Sequence, residues 1–580
     1  MPINYQLKTP FEDIALSLSG GGYRAAAFHL GSMAYLHRAQ YKNKALLEHV
    51  RIISTVSGGT ITGVFYAYWK QEKKSFPEIY KTLLKLLDEL DLIQLSMTKL
   101  RTVEGWPEHK RRNIINAFAT IYDEKFTKGG TFSSLEDMSD SHLREVVFNA
   151  TEFNNGLLFR FQNARRMGNG EIIIPKQVKP EIKLGDIIAA SSCFPGGFEP
   201  IAFPDDFLHK DAKEMAKLKD EGKFETPFGL MDGGICDNQG ISSIISSERS
   251  LRKEDKVGYY YDLVIISDVA SPFMAPFQFT MEGEEQPIAF FNNSIDKISK
   301  KINRYYKGVL FSLAIILFLS VLSLLISKGN NNWMLGAGIV GLLFSGPALF
   351  AIWKTKKETI KSIKGILKSL NEQPLFPFFM SKIKPLGIET LTIKQISRPL
   401  LDRIGSFMTL VQEVFLKQIR RLIYSDIYNT KKWQYRRISN LIYELGEPDF
   451  LQGRNLGKNK KYGPVAFAED DEQSGPEVME KILGTKIPKV AGDASGFGTT
   501  LWFTKDEQDK KTLDSLVATG QFTMCYNLIY YINLIKETPE ESGYAALSKE
   551  DKEAMETLYA QLIADWALFR KNPRFMVDAV

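Results

Sequence analysis

Cysteine is scarce in this chain of 580 residues, which holds only Cys193, Cys236 and Cys525. They are odd in number, far apart and form no C-x-x-C pair, which argues against a disulfide framework and a zinc site and fits a reducing compartment. Net charge is also small: 74 Lys and Arg against 68 Asp and Glu leave +6. That excess is too slight for a general nucleic-acid binder, so any attraction for anions must be local. Met1 to Asp13 lacks a basic flank leading into an apolar core, so no cleaved secretory signal is expected. No internal repeat or long low-complexity tract occurs. With 44% hydrophobic and 24% charged residues the chain can bury a sizeable core, and disorder is not its main character.

Long apolar runs, by contrast, are present. Gly308 to Ile326 and Trp333 to Trp353 are uncharged, close to bilayer-spanning length, and separated only by Ser327 to Asn332. This pattern predicts a transmembrane helical hairpin, with tryptophans at both ends of the second helix and Ala337, Gly341 and Ser345 spaced for close helix approach. A pair of buried core helices is the alternative. Lys297, Lys300, Lys301, Arg304 and Lys307 precede the hairpin and Lys354, Lys356, Lys357, Lys361 and Lys364 follow it, whereas the turn holds Lys328 alone. The positive-inside rule then puts both flanks in the cytoplasm. The expected protein is integral to a cell or inner membrane, with its catalytic part cytoplasmic and basic flanks that can meet anionic head groups.

The expected organisation is a catalytic region over 1–295, the basic-flanked hairpin over 296–370, and a mostly helical region over 371–580 that packs back on the first. Ile14 to Leu18, Arg51 to Thr55 and Asp262 to Ser267 are strand-like, and the first two lead through glycine-rich turns into helical stretches. That alternation indicates a layered α/β sheet. Lys357 to Leu370, Ser406 to Asp426 and Asp551 to Leu568 are predicted helices, and Gly446 to Pro476 the mobile loop.

The chemistry is concentrated in three turns. After the first strand comes Ser19-Gly20-Gly21-Gly22-Tyr23-Arg24-Ala25. Successive glycines at a helix start leave backbone N–H groups open to an anion or to an oxyanion formed in acyl transfer. Gly20, Gly22 and Ala25 also fit the dinucleotide pattern G-x-G-x-x-A, but the next strand runs straight into Val56-Ser57-Gly58-Gly59 and offers no acid for a ribose. Thr55-Val56-Ser57-Gly58-Gly59 matches the nucleophile elbow G-x-S-x-G except that Thr55 replaces the first glycine; an ordinary serine helix cap is the bland reading. A nucleophilic serine needs a base. None of the six histidines, His29, His37, His49, His109, His142 and His209, stands in a catalytic motif. The stronger candidate is Asp232 in Leu230-Met231-Asp232-Gly233-Gly234, where an apolar stretch ends in a carboxylate and two glycines; a plain turn aspartate is the alternative.

In type and order these motifs resemble the patatin-like phospholipase family. Ala189 to Gly196 and Asp237-Asn238 strengthen the likeness, which covers roughly Ile14 to Gly240; Gly498 to Asn527 more loosely resembles the rear part of bacterial members. The resemblance implies a modified α/β-hydrolase-like sheet with helices on both faces. It also implies a Ser57–Asp232 dyad without histidine, in which Asp232 takes the Ser57 proton and later activates water against an acyl-enzyme. Gly20, Gly21, Gly22 and Gly58 would hold the oxyanion, supported by Gly59, Gly233, Gly234 and by Arg24, read as orienting the glycine turn. No metal or cofactor is implied. The expected substrate is membrane phospholipid and the expected partner the bilayer, with homo-oligomers left open. Rival readings are an esterase or thioesterase of soluble esters and a catalytically silent membrane module.

Overall fold

The computed structural model describes residues 7, 9–102, 106–195, 197–223, 227–255, 261–270, 295–327, 339, 406, 409–446 and 476–580. The strand-like runs form strands. β1 (Ile14–Leu18) feeds α1 (Gly22–Arg38), and β2 (Val50–Val56) feeds α2 (Gly58–Gln71). Then come β3 (Glu145–Glu152), β4 (Leu157–Gln162), α3 (Leu184–Ser191), β5 (Ile201–Phe203), β6 (Phe228–Asp232), α4 (Ile241–Asp255) and β7 (Leu263–Asp268). After the helix α5 (Ile295–Ser327) the chain continues through α6 (Leu416–Asn429), β8 (Arg437–Leu441), α7 (Thr512–Glu537) and α8 (Lys549–Lys571). The strands make one eight-stranded mixed sheet in the order β8-β7-β1-β2-β3-β6-β5, with β4 also paired to β3.

Alternation along the strands divides the core. Leu16, Leu18, Ile53 and Phe148 face a large cluster built with α1, α2 and α7, whereas Ala15, Ile52, Val147 and Ile266 face a smaller one with Ile241, Ile244, Ile427 and Trp433. The sheet is buried on both sides, as the apolar strands require. Chain segments far apart in sequence join closely: a Cβ on Gly31 of α1 would lie 2.0 Å from the Val517 carbonyl oxygen, and one on Gly520 of α7 2.0 Å from that of Phe28. Two facing glycines let these backbones touch, and no larger residue would.

One feature of the pairing fixes the site. On one edge of β3, β2 runs parallel and ends with Val56 opposite Asn149. On the next residue of β3, Ala150, sits Asp232, the end of β6 running antiparallel. Because β4 occupies the other edge of β3, β2 and β6 share the remaining one. They approach head to head, and the residues where they meet are Val56-Ser57 and Asp232.

Two compact units are distinguished: 1–274 with 415–580, and 275–414. β8 and α7 belong to the sheet and core of the first. Among the described residues no helix is long and apolar enough to cross a membrane. The first apolar run does lie in α5, after the basic segment Lys297 to Lys307. The second run, apart from Ile339, lies outside the described residues, as do Lys357 to Leu370 and the 447–475 part of the loop. The two-span hairpin is therefore not supported by the described structure.

Candidate active site

Ser57 stands at the strand-to-helix bend with φ 51° and ψ −120°, a left-handed conformation that a side chain adopts only when its surroundings enforce it. The enforcement is visible. The Ser57 N–H donates to Ser191 Oγ at 2.9 Å, which also pairs with Thr60 Oγ1 at 2.7 Å and donates to the Asn149 carbonyl at 2.6 Å. Thr55, which stands where the elbow pattern has glycine, pairs with Thr60 through their hydroxyls at 2.9 Å. Its bulk is accommodated from the other side: a Cβ on Gly63 would come within 2.4 Å of the Thr55 methyl. The glycine missing at 55 is thus compensated one helical turn into α2.

Asp232 reaches the same point from β6. Its N–H donates to the Cys193 carbonyl at 3.0 Å and that of Gly233 to the Ser191 carbonyl at 3.2 Å. The segment after α3 therefore clamps nucleophile and acid together, which gives the Ala189 to Gly196 likeness a physical meaning. The Asp232 carboxyl is buried, and burial raises its pKa to about 6. Three interactions oppose that rise: a hydrogen bond with the Ser57 hydroxyl, the Gly234 N–H donating to Oδ1 at 2.7 Å, and the nearby Arg420 guanidinium. No hydrogen bond found for Ser57 or Asp232 among the described residues involves a histidine.

Arg420, on α6, has no signal in the sequence. Its guanidinium donates to the Gly234 carbonyl at 2.8 and 3.2 Å, and so fastens the turn that carries Asp232. It comes from 188 residues downstream, 420 minus 232, and only the tertiary structure places it there.

The Gly20 N–H is donated to the Asn238 carbonyl at 3.0 Å. Gly21, Gly22 and Gly58 have no backbone acceptor among the described residues. Gly21 and Gly22 have φ 148° and 59°, values that suit glycine. A Cβ on Gly58 would fall 2.1 Å from the Gly22 carbonyl oxygen and 2.7 Å from its nitrogen, so turn and elbow are in direct contact. Gly59 gives the same clearance to the Leu18 and Ser19 carbonyls, and Gly233 to that of Asn149. Gly234 leaves room for the Asp232 and Asn238 side chains. Arg24, read from the sequence as orienting the glycine turn, reaches toward the rear of the chain. It donates to the Tyr443 hydroxyl at 3.0 Å and the Phe497 carbonyl at 2.9 Å, tying α1 to the rear of the chain. The turn is also held by the Thr500 carbonyl, which accepts from the Tyr23 N–H at 2.9 Å, and by buried His29. Nε2 of His29 pairs with the Ser19 carbonyl and Nδ1 with Ser267 Oγ, each at 2.9 Å. Burial lowers its pKa to about 4, so it is neutral in the core. Asp237 accepts from the N–H groups of Gly240 and Ser242 at 2.9 and 2.7 Å and organises the start of α4.

With this geometry in place, comparison is informative. Residues 16–245 match the family model of the patatin-like phospholipases. All three motif turns fall inside the matched segment, whereas Arg420, Phe497 and Thr500 fall outside it. No curated protein matches. Among solved structures, the human GIVD cytosolic phospholipase A2 aligns with TM-score 0.30 and 14% identity over 44% of this chain and 45% of that one. Its complex with methyl gamma-linolenyl fluorophosphonate and terbium chloride gives TM-score 0.25 and 15% identity over 38% and 35%. The chain spans less than half the length of these proteins.

Proposed function

We propose that the patatin-like domain hydrolyses acyl esters of lipids, with Ser57 as nucleophile and Asp232 as its base. The observation that carries this reading is the head-to-head meeting of β2 and β6, which brings a strained serine and a buried carboxyl within hydrogen-bonding reach. A carboxyl with a pKa of about 6 takes a proton far more readily than an exposed aspartate near 3.9 and is still largely ionised at neutral pH. Ser57 attacks the ester carbonyl as its proton passes to Asp232. The open N–H groups of Gly21, Gly22 and Gly58 would receive the oxyanion. Collapse expels the alcohol with the proton held by Asp232, and water, deprotonated by the same carboxylate, then frees the acid. The test is release of fatty acid from phospholipid by the purified protein. Turnover confined to short soluble esters or thioesters would favour the soluble-ester reading, and no turnover of either the silent one.

Activity should depend on an ionised Asp232. The acid limb of kcat/KM is expected near pH 6, with turnover falling as pH drops below it. Arg420→Gln removes a cation that favours the carboxylate, so its limb should move to higher pH. A wild-type profile with no acid limb at any pH down to about 3 would remove a carboxylate as the base.

Membrane attachment through 308–353 belongs to this proposal. Its support is the apolar sequence and, on α5, the exposure of Phe311, Phe318 and Leu325. In an otherwise cysteine-free variant, a cysteine at Asn331 should react with an impermeant thiol reagent in intact cells, and one at Lys297 or Lys361 only after lysis. Carbonate-extractable protein with no labelling at Asn331 would exclude a span, and equal labelling at Asn331 and Lys361 would indicate a single one.

A further inference from the structure

Two parts of the catalytic unit overhang the end of the sheet where Ser57 and Asp232 meet, and both carry exposed apolar side chains. The first is the turn between β3 and β4. β3 passes Asp232 at Ala150 and continues to Phe153, three residues or about 10 Å further, where Phe153 is 55% and Leu157 37% exposed. The second is the start of α6. Its inner side descends along the sheet: Arg420 holds the Gly234 carbonyl, the Tyr424 hydroxyl accepts from the Gln239 N–H at 3.1 Å, and Ile427 is buried against the sheet. Followed in the other direction the helix rises past the catalytic turn. Phe415, Ile419 and Leu422, at i, i+4 and i+7 on its outer face, are 53%, 44% and 78% exposed.

Polar outer faces are the rule for surface helices, and here the apolar residues are confined to the half nearest the active site. Ser425, Asp426 and Asn429 make the distal half of that face polar, and exposed Gln418 is the uncharged polar residue among the apolar ones. Exposed Arg421 adjoins Leu422, and the carboxylate Asp426 comes a turn further from the rim, so charge at the rim is positive. A protein bound permanently over this rim would cap the entrance to Ser57. A lipid surface both covers the apolar residues and delivers an ester to it.

Resting on the hydrolase reading for its substrate, we infer that the outer face of α6 around Phe415, Ile419 and Leu422, together with the Phe153 turn, docks on an anionic lipid surface. Arg420 makes this contact local to catalysis, since the helix that enters the interface is hydrogen-bonded to the turn bearing Asp232.

The test uses the full chain and vesicles of phosphatidylcholine and phosphatidylglycerol, with a short water-soluble ester as the reference reaction that needs no docking. For Ile419→Ser combined with Leu422→Ser, the ratio of vesicle to soluble-ester turnover is expected to fall at least ~10-fold, since two aliphatic side chains lose their burial in lipid. Separately, Leu422→Trp should add quenching by brominated acyl chains beyond that of the parent protein. This second measurement reads insertion directly, whether or not α5 also binds the membrane. An unchanged ratio, no added quenching, or a parent dimer that the serine variant breaks would each overturn docking on lipid. If the parent turned over no ester at all, the hydrolase reading would fail, and the quenching measurement would still decide the docking surface.

Discussion

Ser57→Ala and Asp232→Asn are each expected to remove nearly all ester hydrolysis, and the double variant to be no worse than either. Nucleophile and base act in one proton transfer, so their losses do not add. More than about a tenth of wild-type activity in Asp232→Asn, a barrier change under ~1.4 kcal/mol, would require another base. Loss of activity through misfolding can be separated from loss of chemistry. The carboxyl ionises less easily in the folded protein than in the unfolded chain, so the folded state takes up a proton more readily. Its unfavourable contribution is therefore present above about pH 6 and is relieved as pH falls toward 4. The shift from 3.8 to about 6 sets an upper bound of about 3 kcal/mol on that contribution. Asp232→Asn should consequently keep or raise the melting temperature at pH 8 while abolishing turnover. A marked fall in melting temperature would mean that the carboxylate is chiefly structural.

Gly58→Ala is the second variant expected to have a large effect. Its Cβ would meet the Gly22 carbonyl oxygen at 2.1 Å, and that atom is backbone, so either the elbow or the glycine turn must move. Movement misaims the N–H groups proposed to receive the oxyanion, and loss of one such donor typically costs about 2.7–4 kcal/mol of transition-state stabilisation, 10²- to 10³-fold in kcat. KM should change much less. Gly20→Ala gives a contrast, because that N–H is bonded to Asn238 and a Cβ there meets the Asn238 side chain at 2.8 Å and Ser57 Cβ at 3.0 Å. Its effect comes through packing and should appear in the melting temperature together with the rate. Full turnover in folded Gly58→Ala would remove this turn from the mechanism.

The three turns were legible in the sequence because each is local. Glycine runs, a serine between a strand and a helix, and an aspartate before two glycines are dictated by steric needs within a few residues. The strands Ile14–Leu18, Val50–Val56 and Leu263–Asp268 were legible for the same reason, since a short apolar run of β-branched residues has few other uses. Thr55 departs from the local pattern, and its compensation by Gly63 is itself only eight residues away.

What the sequence determined, then, is the α/β character, the candidate nucleophile and acid, and the order in which they occur. The tertiary structure decided which atoms serve which purpose. It brought Ser57 to Asp232 across 175 residues, 232 minus 57, by ending two strands against each other on one edge of β3. It committed the Gly20 N–H to Asn238, turned Arg24 away toward Phe497, and supplied Arg420 and the Thr500 carbonyl from beyond the matched domain. Hydrogen-bond partners and the desolvation that lifts the Asp232 pKa depend on distances through space between segments with no fixed separation along the chain. A sequence pattern specifies the groups offered at each turn, but only the assembled core determines which are already paired and which remain open to a substrate.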